Sequence, residues 1–385
     1  MRAVILVGGL GLRLRPLTIN YPKALVSFAG RPLVEWQIEA LVKIGVDRII
    51  LAIFYREELV REFVERMMKK YKVTIICSVE KEALNTAGPL KLAEKLLIDD
   101  QNSNLSPSQK QPDNVFFVLN SDIVCPFPLK RMLEFHMSHE GRATILSFET
   151  DEPSRYGVII YEKETGLVKT FVEKPQVFLG NTINAGIYIF NNSILQDIEL
   201  KSVSMEREVF PALVQQKDLY VTRFDGFWRE ISQPVDLILC NRIFLTYLEE
   251  INRVTIDDFE LIVNAGHLKG VNLIHKQAKI SSDALVGPFC VVHQGVVVGP
   301  GAQVVESILM DDCVVEEGAQ VLESVLMFGV KVERYGRVEH HCALAEKATV
   351  KENVYIRSEK VEPGQIVSKS TLEIKEKNDL NKSQK

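Results

Sequence analysis

Ala3-Val4-Ile5-Leu6-Val7 followed by Gly8-Gly9-Leu10-Gly11-Leu12-Arg13-Leu14-Arg15-Pro16-Leu17-Thr18 is the stretch on which the reading of the first half turns. Five unbroken apolar residues describe a strand covered on both faces, the signature of a parallel sheet. Glycines directly after such a strand let the backbone approach a polyphosphate and aim N–H groups at its oxygens. The spacing is neither GxxxxGK[ST] nor GxGxxG, because Leu14 stands where a third glycine would fall. Arg13 and Arg15 would neutralise phosphate charge, and Lys23 in Pro22-Lys23 offers a further cation. The plainer alternative is a tight turn decorated with surface arginines. The loop's place at the carboxyl end of the first strand, where α/β sheets bind ligands, favours the phosphate reading.

Working outward, strand and helix signals alternate. A helix over Glu35–Val42 ends near Gly45, a natural C-cap. Strands follow at Arg48–Phe54, Val73–Val79 and Val115–Leu119, with an amphipathic helix over Glu57–Tyr71 whose acids lead and whose lysines trail, matching the helix dipole. Continuous apolar strands separated by helices predict a Rossmann-like α/β domain with a mixed, mostly parallel sheet. Hairpin character rises beyond residue 143, at Thr144–Thr150, Val158–Tyr161, Leu167–Val172 and Ala185–Phe190. A helix over Pro234–Val254 leads out. The polar segment 99–114 reads as a flexible surface insertion and the tail from Ser368 as disordered.

The last third changes period. Steps of six from Ile280 reach Val286, Val292, Val298, Val304 and Met310. After a one-residue slip the same step joins Leu309, Val315, Val321 and Met327, and after a second it joins Leu326, Val332, Val338, Leu344, Val350 and Ile356. A six-residue apolar period marks a hexapeptide β-helix, in which three short strands make one coil and the inward residues stack. An irregular, Val-rich run of hairpins is the weaker alternative. The expected organisation is the α/β domain at 1–240, a linker at 241–272, a left-handed β-helix at 273–367 and a polar tail at 368–385.

Composition narrows the classes of function. A net charge of −5 without a basic stripe speaks against nucleic-acid binding. No run of about 20 apolar residues exists to cross a membrane, and the apolar run at the N-terminus is too short for a signal peptide. The six cysteines are scattered singly, mostly in apolar runs, so buried free thiols in the cytoplasm are expected rather than zinc or disulfides.

Asp122 follows the strand Val115–Leu119, so its carboxylate is expected at the ligand-binding edge, though a carboxylate there could simply cap a turn. Taken in order, the glycine loop with Pro22-Lys23-Ala24-Leu25, Thr86-Ala87-Gly88-Pro89-Leu90, Asn120-Ser121-Asp122, Tyr156-Gly157-Val158, Phe171-Val172-Glu173-Lys174-Pro175, Asn184-Ala185-Gly186 and Gly226-Phe227-Trp228 resemble the sugar-phosphate nucleotidyltransferases. Among these they most resemble the beta-type mannose-1-phosphate guanylyltransferases. The similarity runs from Met1 to about residue 365, apart from the insertion.

The resemblance implies GTP and mannose 1-phosphate as substrates and Mg²⁺ as cofactor, held by Asp122 and Glu230. It implies a nucleotide site of Leu6, Gly8, Gly9, Gly11, Leu12, Arg13, Lys23, Asn85, Gly88 and Asp122. The sugar phosphate would be held by Gly157, Glu173, Lys174 and Asn184, with Lys174, Arg13 and Lys23 as catalytic groups. A homo-oligomer, or a hetero-oligomer with an alpha-type subunit, is also implied. The chain departs from the family pattern at Leu12 (usually Thr), Asn85 (Gly), Glu230 (Asp) and Ser232 (Gly). An enzyme using UTP or ATP with glucose 1-phosphate and a non-catalytic, regulatory GDP-mannose-binding subunit are the alternatives. An acyltransferase built around His340-His341 is remote, since that pair is expected in solvent.

Overall fold

The computed structural model describes residues 1–98 and 114–371. The segment read as an insertion (all but Asn114) and most of the tail lie outside the described residues. The chain forms two compact units. The first comprises Met1–Leu10, Pro22–Leu25 and Leu33–Glu230; the second comprises Gly11–Tyr21, Val26–Pro32 and the chain from Ile231.

In the first unit, Arg2–Leu6 lies between Val115–Asn120 and Arg48–Ile53, parallel to both, and Thr74–Val79 extends this parallel half. Ala3, Val4, Ile5 and Phe116–Leu119 are fully buried, as strands covered on both faces require. Thr182–Asn191 pairs antiparallel with Val115–Asn120, and the hairpin strands Gly157–Tyr161 and Val168–Glu173 complete that side. Ala143–Glu149 and Leu219–Arg223 branch from Thr182–Asn191, giving a mixed sheet of nine strands among the described residues. The helix Leu33–Lys43 stops where Gly45, at φ 86°, lets Val46 N–H reach back to the Leu41 carbonyl. The helix Glu57–Tyr71 buries Val60, Phe63, Val64 and Met67, one stripe at helical spacing.

The second unit is a stack of parallel coils consistent with a left-handed β-helix. Val286 pairs with Val304, eighteen residues on, and Val298 with Val315, seventeen on. The stacked residues Val286, Val292, Val298, Val304, Leu309, Val315, Val321, Leu326, Val332, Val338, Leu344, Val350 and Ile356 form one continuous buried core. Each fully buried Val or Leu contributes on the order of 1.5–3 kcal/mol, and neighbours above and below supply the contacts. The period slips have a structural cause. The steps Val304 to Leu309, Val321 to Leu326 and Ile356 to Val361 all fall at one corner of the coil, where a single residue in the left-handed region (Glu306, Glu323 or Ser358) makes a five-residue turn. At the same corner Val286 to Val292 and Val338 to Leu344 keep six. Along this corner Ser324 N–H donates to the Ser307 hydroxyl, and Cys290 N–H to Asn272 Oδ1.

The stretch preceding the coils holds the helix Pro234–Glu250 and a hairpin of Phe259–Ala265 with Leu268–His275, whose second strand pairs directly with the coil strands. All six cysteines are free, and five are buried. Burial pushes the thiols of Cys125, Cys290 and Cys313 up to about 12. No helix among the described residues is long and apolar enough to cross a membrane.

Candidate active site

In the first unit, the ends of three parallel strands bring separate motifs to one edge. Val7 N–H bonds to the Ala52 carbonyl, Glu80 N–H to Ile53 and Ser121 N–H to Leu6, so Gly8 and Asp122 leave adjacent strands and Glu80 leaves the strand beyond Arg48–Ile53. A Cβ on Gly8 would lie 3.1 Å from a Glu80 carboxylate oxygen, whereas one on Gly9 would meet nothing within 4 Å. The first glycine is thus closely packed against Glu80. The second leaves open backbone, as a close-approaching anion requires. Glu80 is 7% exposed, burial raises its carboxyl above the ordinary range, and it accepts Leu84 N–H at 2.9 Å. Sequence reasoning passed it over. The acids of Glu80-Lys81-Glu82, directly after a strand, were the available signal.

Lys23 donates to Asp122 Oδ2 at 2.5 Å, with both side chains largely buried. Opposite, the short strand Arg229–Glu230 pairs antiparallel with Ile123–Val124, and Glu230 faces Ile123 in register. The backbone thus sets the second carboxylate one residue along from Asp122. Two hard oxygen donors plus substrate phosphate oxygens suit a small divalent ion, so these residues fit such a metal.

In the hairpin, Gly157 stands opposite Glu173. A Cβ on Gly157 would fall 2.5 Å from the Phe171 ring and 2.9 Å from a Glu173 oxygen, so only glycine fits. Burial raises the Glu173 carboxyl, opposed by Lys174, whose ammonium lies 3.4 Å away. Lys174 sits at φ 48° and donates its N–H to the Tyr156 carbonyl, while its side chain is 61% exposed. Asn184 marks a register shift in its strand; its Oδ1 accepts Gly186 N–H and its Nδ2 donates to the Tyr188 hydroxyl. Trp228 donates to the Ala185 carbonyl and packs against Phe148 and Tyr156. Thr86 donates its hydroxyl to Glu206, a carboxylate that also acts electrostatically on Glu173.

Two predicted residues take structural explanations. A Cβ on Gly88 would lie 2.3 Å from the Lys201 carbonyl, so that glycine is demanded by the fold. Leu6 ends the central strand, in register with Asn120. Gly11, Leu12 and Arg13 belong to the second unit. There Gly11 adopts the left-handed conformation and Leu12–Leu14 forms one tight turn, with Leu12 and Arg13 exposed.

The sequence of residues 2–247 matches the nucleotidyl transferase family, and residues 268–377 match the GMPPB C-terminal domain. The chain belongs to the nucleotidyl transferase family. Among members of known name, it is 39% identical to mannose-1-phosphate guanylyltransferase 1 of Arabidopsis thaliana over 97% of this chain and 98% of the relative. It is 40% identical to a mannose-1-phosphate guanyltransferase of Debaryomyces hansenii over 96% and 97% of the two chains. A solved Bacillus anthracis structure, assigned as a glucose-1-phosphate thymidylyltransferase, shares the fold of this nucleotidyl transferase at TM-score 0.54, 18% identity, covering 62% of this chain and 92% of that one.

The four departures from the family pattern have local explanations. Leu12 is 57% exposed, so losing a hydroxyl there leaves no packing defect. Asn85 sits at φ 64°, a conformation asparagine tolerates where most residues do not. Glu230 keeps a carboxylate on the paired strand. Ser232 donates both N–H and hydroxyl to Asp236 Oδ2, joining Gln233 N–H in capping the helix Pro234–Glu250.

Proposed function

We propose that this nucleotidyl transferase moves the guanylyl group of GTP onto mannose 1-phosphate, giving GDP-mannose and pyrophosphate. The observation that carries the reading is the half-buried Lys23–Asp122 pair at the strand edge beside open Gly9 backbone, together with Glu173–Lys174 on the hairpin. Near-full-length identity of about 40% to proteins named for this activity supports the choice of substrates.

An oxygen of the sugar phosphate attacks the α-phosphorus, the bond to the β-phosphate oxygen breaks, and pyrophosphate leaves. The nucleophile is already anionic at neutral pH, so the protein supplies position and charge rather than a base. Lys174, on an exposed stem, holds the sugar's phosphate. Glu173 holds sugar hydroxyls beside Gly157 and Asn184. Arg13 and Lys23 neutralise the departing pyrophosphate. Asp122 and Glu230 would hold Mg²⁺, which supplies charge neutralisation on the phosphates when bound. The free, high-pKa thiols favour a cytoplasmic setting. A homo-oligomer, or assembly with an alpha-type subunit, remains the expectation from the family.

The test is pyrophosphate release with Mg²⁺, each of the four NTPs, and mannose or glucose 1-phosphate. Release confined to GTP with mannose 1-phosphate is expected. Release with UTP or ATP and glucose 1-phosphate would reassign the substrates, and GDP-mannose binding without release under any pairing would remove the enzymatic reading.

A further inference from the structure

The chain enters the second unit twice before settling there, at Gly11–Tyr21 and at Val26–Pro32. The first entry carries the phosphate-loop turn. Its Leu14 and Leu17 are fully buried, and the Thr18 hydroxyl donates to the Gly11 carbonyl at 2.7 Å, closing the turn on its left-handed glycine. Two residues on, Asn20 Nδ2 donates to Glu346 Oε1 at 2.5 Å, and the Tyr21 ring lies 5.3 Å from that of Phe328.

Phe328 and Glu346 hold the same position in successive coils. Leu326 pairs with Leu344, and Lys347 N–H bonds to the Phe328 carbonyl. Glu346 is an uneconomical choice for packing alone, because its Oε2 is buried and accepts no hydrogen bond. Its contact with Asn20 is what the carboxylate achieves there. The second entry is fastened in the same manner: Ser27 Oγ lies 3.2 Å from His293 Nε2, Arg31 donates to Asp257 at 2.7 Å, and Phe28 packs edge-on against Phe244. Four residues, Pro22–Leu25, separate the two fastened segments, and Lys23 is one of them.

We propose that Phe328 and Glu346 are positioning residues for nucleotide binding. They hold Tyr21 and Asn20, and through the Thr18–Gly11 closure they fix the turn that presents Arg13 to the triphosphate. The β-helix is then part of the nucleotide-affinity apparatus rather than a passive appendage. The proposal rests on the reading that this loop takes a nucleoside triphosphate.

The experiment compares full-length wild type with Glu346→Ala, Glu346→Gln and Phe328→Ala. It measures KM for GTP and for mannose 1-phosphate, equilibrium GTP binding, and hydrogen exchange of the peptide spanning residues 11–21. Glu346→Ala and Phe328→Ala are expected to speed exchange in that peptide and raise KM for GTP by about fivefold or more, with KM for mannose 1-phosphate nearly unchanged. Glu346→Gln, whose amide oxygen can still accept from Asn20, is expected to restore wild-type values. Faster exchange without weaker GTP binding would overturn the proposal, as would a parallel rise in both KM values. If wild type binds GTP but turns over no substrate pair, the transferase reading falls, and the positioning role is decided by GTP binding of Glu346→Ala against wild type.

Discussion

The coils of the second unit and the strand edge of the first make opposite demands on their residues. In the coils the stacked inward positions repeat one requirement, a small apolar side chain that packs on its neighbours, and the core from Val286 to Ile356 meets it with aliphatic residues and the buried thiols of Cys290, Cys313 and Cys342. At the edge no two positions are alike: Gly8 yields to Glu80, Gly9 leaves open space, Lys23 meets Asp122, and Gly157 yields to Phe171. A coil residue is therefore exchangeable with others of its kind at moderate cost to stability. An edge residue is tied to one atom or one ligand, and its loss registers in chemistry.

The sharpest way to break this contrast is Lys174→Ala. The side chain is 61% exposed, so melting should be unchanged, while turnover should fall on the order of 100-fold or more if it positions the sugar's phosphate. Retained activity, or a lowered melting temperature, would show the edge behaving as the coils do. Val321→Ala tests the other side. Removing buried methyls at 0% exposure should cost about 2 kcal/mol in urea unfolding while leaving kcat near wild type.

Glu173→Gln lies between these two. Burial raises this carboxyl, so the folded state favours its protonated form, and ionisation costs stability as pH climbs through the unfolded value. The variant should therefore melt higher than wild type at neutral pH, and the difference should vanish in acid below the ordinary carboxylate range. Its KM for mannose 1-phosphate should rise in the same buffer where it is more stable; a rise in melting with unchanged KM would remove Glu173 from the sugar site. The smallest effect is expected from Leu12→Thr. At 57% exposure this substitution should leave stability untouched and alter KM for GTP by no more than about twofold. A large gain would identify Leu12 as a real handicap.

The same contrast explains what was legible beforehand. The six-residue step named the inward residues from Val286 onward because each coil repeats one physical requirement. The slips were visible too, but not their cause, since nothing local distinguishes a five-residue turn on Glu306 or Glu323 from the six-residue turns elsewhere at that corner. The helix Glu57–Tyr71 was read to the residue because charge and apolar stripe agree along its length. The strand around Ala185–Phe190 was placed three residues late, as its opening, Thr182–Asn184, precedes a register shift that breaks the apolar pattern. Gly88 enters the nucleotide site only through the family resemblance, and nothing in Thr86-Ala87-Gly88-Pro89 marks the Lys201 carbonyl that a Cβ there would meet. Glu80 went unseen for the converse reason: its burial comes from strands far away in sequence.

The order in which the chain visits its two units also bears on how such proteins can be rearranged by recombination. A break after Glu230 would sever the chain at a boundary that looks clean on paper, yet Leu14, Leu17 and Phe28 would be left with their apolar surfaces uncovered. The two units are thus poor modules for exchange. A shuffled gene joining this N-terminal half to an unrelated β-helix inherits exposed hydrophobic segments unless the new partner offers counterparts of Phe328 and Glu346 in its coils and of Phe244 on the helix before them.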